Sequence, residues 1–70
     1  MRLSVSEVIA VTRKFLREEA GYTNVRIGSV VGLEGESCWK VIIVIEQPSS
    51  DRKEIIVDDR DGKVISYKQA

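Results

Sequence analysis

Cys38-Trp39-Lys40-Val41-Ile42-Ile43-Val44-Ile45-Glu46 is the densest apolar run in the chain and holds its only Trp. Val, Ile and Trp suit a pleated, half-buried surface, so the run reads as a β-strand. Side chains alternate between the two faces of a strand. Trp39, Val41, Ile43 and Ile45 then share one face, and all are apolar. Cys38, Lys40, Ile42, Val44 and Glu46 share the other, polar at its ends and apolar in its middle. The first face needs a core. The second needs a cover that the rest of the sequence does not obviously supply.

Upstream, Ser4 and Glu7 have the spacing of a capping box. Val5, Val8, Ile9, Thr12, Phe15 and Leu16 follow at i, i+3, i+4, i+7, i+10 and i+11, the stripe of an amphipathic helix. Ser6, Glu7, Arg13, Lys14, Arg17 and Glu18 lie opposite. Gly21 offers a left-handed stop, and Tyr22 is placed to fold back on the last turn. These signals predict a helix over residues 5–20.

Residues 25–33 read as a strand whose Gly28 and Gly32 suggest a bulge or bend. Glu34-Gly35-Glu36 is a turn that pairs this strand antiparallel with the Trp39 strand. Pro48 ends that strand within a loop from Gln47 to Asp51. Residues 53–57 and 63–68 read as two further strands. They are joined by Asp58-Asp59-Arg60-Asp61-Gly62, where Gly62 supplies a positive φ. The expected fold is α+β in a single domain, residues 1–70. One N-terminal helix packs on a four-stranded antiparallel β-meander, in the order α-β-β-β-β.

One helix covers one sheet face. The other is left with Ile42 and Val44, joined by Ile56 and Tyr67 and in part by Val30. A contiguous apolar patch of this kind marks an interaction surface. Ile42, Val44, Ile56 and Tyr67 are therefore the expected contact residues, with a homodimer or another protein as partner. The competing reading is that strand twist and long Lys and Arg stems cover the patch.

The 70-residue chain has eleven Lys plus Arg, eleven Asp plus Glu, no His and one Cys. Its charge is balanced, so nothing draws it overall to a polyanion or an acidic membrane surface. Without His, and with one Cys, it lacks the residues of a structural zinc site or a Cys-His nucleophile pair. No Gly-rich phosphate loop opens the helix. The expectation is a protein that is not an enzyme and that holds no cofactor and no metal. Glu7, Arg13 and Lys14 interrupt the N-terminal apolar residues, which read as neither signal peptide nor membrane span. The lone Cys fits a reducing compartment, so the cytoplasm is the expected location.

Four sharper readings have blander rivals. Cys38 beside Lys40 could be a reactive thiol, or a small buried hydrophobe. Asp58, Asp59, Asp61 and Gly62 resemble the start of a calcium loop, but strands flank them and no Glu follows at the twelfth position, so a hairpin turn explains them. Trp39 and Tyr67, with Lys40 and Lys68, could stack and hold a nucleic acid, although Trp39 lies on the apolar face. A small ligand could sit between helix and sheet near Trp39.

The second half also has a family likeness. Trp39-Lys40-Val41, Glu46, the polar loop with Pro48 and Asp51, Glu54-Ile55-Ile56-Val57-Asp58 and Gly62-Lys63-Val64-Ile65-Ser66-Tyr67-Lys68 together resemble the gas vesicle protein O family. The Val57-Asp58 and Gly62-Lys63-Val64 segments are also similar to PepSY-type domains, which share a helix followed by a β-meander. The first resemblance implies an accessory protein of gas vesicle assembly or regulation that acts by protein contacts. The second implies modulation of a partner protein.

Overall fold

The computed structural model describes residues 1–46 and 50–70. It has the expected α+β architecture. Helix α1 (Val5–Phe15) runs into a wider π-type turn at Leu16–Ala20. Then come β1 (Val25–Leu33), β2 (Cys38–Ile45), β3 (Asp51–Asp58) and β4 (Val64–Gln69). The strands form one antiparallel sheet in the order β1-β2-β3-β4.

The helix starts where its capping box places it. Ser4 Oγ accepts the Glu7 N–H at 3.2 Å, and the Ser4 N–H donates to Glu7 Oε1 at 2.8 Å. Together they satisfy two donors that the first helical turn leaves orphaned. The helix ends at Gly21, with φ +76°, and the Tyr22 N–H returns to the Leu16 carbonyl at 2.8 Å. The π-type widening of the last turn is a departure from the single regular helix expected. It leaves Glu18 and Glu19 exposed while Leu16 stays buried and Ala20 packs against the core.

β2 carries the fold. Its burial alternates as the sequence indicates, with Trp39, Val41, Ile43 and Ile45 buried under the helix. Ile55 and Val57 join them from β3, and Val8 and Leu16 from the helix. Val5, at the far end of the helical stripe, remains 48% exposed. β3 is longer than residues 53–57 because it pairs with β2 over the full length from Cys38↔Asp58 to Ile45↔Asp51. The loop expected from Gln47 to Asp51, with the stop assigned to Pro48, falls largely outside the described residues. Its last residue, Asp51, opens β3.

Each edge strand carries an irregularity that reverses its alternation. In β1 the register shifts between Ile27 and Ser29, so Gly28 is an extra residue. A β-carbon on Gly28 would sit 3.2 Å from the Ile42 carbonyl oxygen, which is why glycine occupies the bulge. In β4 the partners run Ile56↔Ser66 and then Val57↔Val64, so Ile65 is the extra residue.

Candidate interaction face

The face of the sheet away from the helix is set by the strand register. Val44 lies between Arg26 and Arg52, Ile42 between Ser29 and Glu54, and Lys40 between Val31 and Ile56. On β4, Lys68 pairs with Glu54 and Ser66 with Ile56. Three of the four expected contact residues therefore lie together here, and Ile42, Val44 and Ile56 are all half-buried. Val31 extends the apolar strip to β1 at 48% exposure.

Tyr67 does not lie on this face. It pairs with Ile55, whose side chain is fully buried under the helix, and its ring meets Phe15 edge-on at 5.4 Å between centroids. Val30 is likewise on the helix side, opposite Val41. Both placements have one cause. A bulge puts Val64 and Tyr67, three residues apart, on the same face, and does the same for Ile27 and Val30. Strict counting by twos assigns Tyr67 and Val30 to the wrong side.

The strip is crossed by an ion network. Glu54, in the middle of the sheet, meets Lys68 at 3.3 Å and Lys40 at 3.5 Å. Burial pushes the Glu54 carboxyl up, but the two lysines outweigh it and hold the group below its ordinary pKa. A third pair, Arg26 with Glu46 at 2.9 Å, closes one corner. The lysine stems flank the apolar residues but leave Val31 exposed. The arrangement presents a shaped apolar strip with fixed charges of both signs.

Cys38 closes the other corner at 7% exposure. Burial pushes its thiol up, and Glu36 and Asp58 add to the effect. Lys40 is committed to Glu54. These surroundings are those of a small buried hydrophobe.

The aspartate turn has a structural role that sequence reading missed. Asp59 is buried, and its carboxylate accepts three N–H groups: Arg2 at 2.6 Å, Leu3 at 2.9 Å and the Trp39 indole at 2.8 Å. Burial pushes this carboxyl up, but the three donors and the N-terminal charge bring it down to about 2. A buried Trp needs an acceptor for its indole N–H, and that was the signal available in the sequence. Asp58 instead holds Arg60, through its backbone N–H at 2.8 Å and its guanidinium at 3.2 Å. Asp61 accepts the Lys63 N–H at 3.0 Å. Asp58 and Asp61 thus brace the hairpin turn itself, and Asp59 ties it to the N-terminal arm and β2.

One groove between helix and sheet lies at the start of β4, over Val11, Phe15 and Val64, and another lies at the β1 side, by Tyr22 and Val25. No helix among the described residues is long and apolar enough to cross a membrane. In comparison with known proteins, the chain matches no family model, no curated protein and no solved structure.

Proposed function

We propose that this chain is a non-catalytic interaction domain that pairs with a second copy of itself through the sheet face opposite the helix. The observation that carries this reading is the strip of Ile42, Val44, Ile56 and Val31, over which no other element packs among the described residues. The size fits. Four strands at about 4.8 Å spacing and eight residues in length present about 500 Å² in projection, and more once side chains are counted. A stable interface takes about 800 Å² from each partner. The charge fits as well. Arg26, Lys40, Arg52 and Lys68 share the face with Glu46, Glu54 and Asp58, a mixture suited to a self-complementary contact.

The gas vesicle protein O resemblance gives such a contact a setting, that of an accessory protein in vesicle assembly or regulation. A nucleic-acid module has less in its favour. Tyr67 and Trp39 face the helix, and Lys40 and Lys68 are both engaged by Glu54.

Light scattering on a sizing column tests the proposal with the wild type, Val44→Lys and Ile56→Lys. The expected result is a wild-type dimer that both substitutions split, with the circular dichroism of the fold retained. A wild-type monomer at several hundred micromolar, or a dimer that survives both substitutions, overturns it.

A further inference from the structure

β4 is the last strand of the sheet, and its outer side has no strand partner among the described residues. The Ala70 N–H donates to the Arg52 carbonyl at 3.1 Å, so Ala70 turns its backbone groups toward β3. Backbone groups alternate along an antiparallel strand. Gln69 and Tyr67 therefore present their N–H and C=O groups outward. An open groove of about 430 Å³ lies between the helix and the start of β4. Val11, Phe15 and Val64 form its apolar floor. Ile65, at the bulge, is 60% exposed.

The groove is also polarised. The capped start of the helix is tied to the Asp59 turn, and Phe15 reaches Tyr67, so helix and β4 run in the same direction. Lys63 then stands at the Gly62 end of the groove, Lys14 lies one turn before Glu18 on the helix, and Glu18 and Glu19 lie further along.

We infer that the β4 edge binds an extended segment of a partner protein by strand addition. The added strand runs antiparallel to β4, the stronger of the two pairings per residue. Its backbone completes the ladder at Tyr67 and Gln69. Residues opposite Tyr67 and its neighbours share the helix side of the sheet and fill the groove over Phe15 and Val64. The segment is therefore apolar at every second position, basic toward its N-terminal end beside Glu18 and Glu19, and acidic toward its C-terminal end beside Lys14 and Lys63. This edge is separate from the open face, and neither binding mode depends on the other.

The test uses a capped heptapeptide of alternating Val and Thr, with Lys at its N-terminal end and Asp at its C-terminal end. It is titrated into the full chain carrying Val44→Lys, so that self-association through the open face does not interfere. Amide exchange is read by NMR. The expected result is saturable binding that slows exchange at Tyr67 and Gln69 by about ten-fold or more, as newly made ladder hydrogen bonds do. The double substitution Lys14→Glu with Lys63→Glu weakens this peptide by about three-fold or more, and replacing the peptide's C-terminal Asp by Lys restores binding. An absence of slowing at Tyr67 and Gln69 at millimolar peptide, equal protection on β1, or indifference to the Asp-to-Lys replacement overturns the inference. These outcomes are independent of whether the wild type is a dimer.

Discussion

Replacing Trp39 by Phe tests the clamp that joins the N-terminal arm, β2 and the β3–β4 turn. The indole donates to Asp59 Oδ1 at 2.8 Å from a position only 7% exposed. A hydrogen bond to a charged acceptor is worth about 1.5–3 kcal/mol. Losing the second ring also leaves a void beside Gly32, costing about 1 kcal/mol more. The expected loss is about 3 kcal/mol. A domain of this length holds roughly 4–10 kcal/mol in total. The variant should therefore fold but melt about 12–24 °C lower. Urea unfolding followed by far-ultraviolet circular dichroism measures this without relying on Trp fluorescence.

The same substitution has an acid signature. Asp59 is held at about 2, below the 3.8 of an ordinary Asp. A carboxyl depressed by folding contributes stability that is complete above the ordinary value and is lost as pH falls toward the folded value. The wild type should lose stability between about pH 4 and pH 2. Trp39→Phe removes one donor, raises the Asp59 pKa and flattens that slope. Combining it with Asp59→Asn should cost less than the two changes separately, by more than the ~0.5 kcal/mol scatter of independent sites. A loss below about 1 kcal/mol, additivity, or an unchanged acid slope would refute the reasoning.

Two further substitutions test local features of the fold. Thr12 is fully buried and its hydroxyl has no hydrogen-bond partner among the described residues, so Thr12→Val, of nearly the same shape, should stabilise the domain by about 1 kcal/mol in the same urea assay. Ser37 holds φ +52° in the turn before β2, and Ser37→Gly should raise the melting temperature by relieving about 1 kcal/mol of left-handed strain.

How much of this was legible in the sequence depends on which strand is considered. In β2, an unbroken strand of eight residues, counting by twos placed every side chain correctly, because a central strand paired on both sides rarely takes an extra residue. On the edges the same counting failed. Gly28 hinted at a bulge in β1, but nothing in Val64-Ile65-Ser66-Tyr67 announces that Ile65 is the supernumerary residue, so Tyr67 was assigned to the open face. The apolar strip on the open face was legible through Ile42, Val44 and Ile56, which lie on or pair with β2. The Lys40–Glu54–Lys68 network was not found, because a diagonal contact depends on the β2–β3 register and the loop that sets it has no diagnostic length. Asp59 was hidden among three aspartates, any of which suits a hairpin turn. Only the path of the N-terminal arm singles it out.

The central claim is that the strip over Ile42, Val44 and Ile56 is covered by the same strip of a second copy. An isotope-filtered NOE experiment on a mixture of labelled and unlabelled chains tests this directly. The account predicts intermolecular contacts at the methyl groups of Ile42, Val44, Ile56 and Val31, with none at the helix-side methyls of Val41 and Ile43. Intermolecular contacts confined to the helix surface, or none at a concentration well above that of dimer formation, would contradict it.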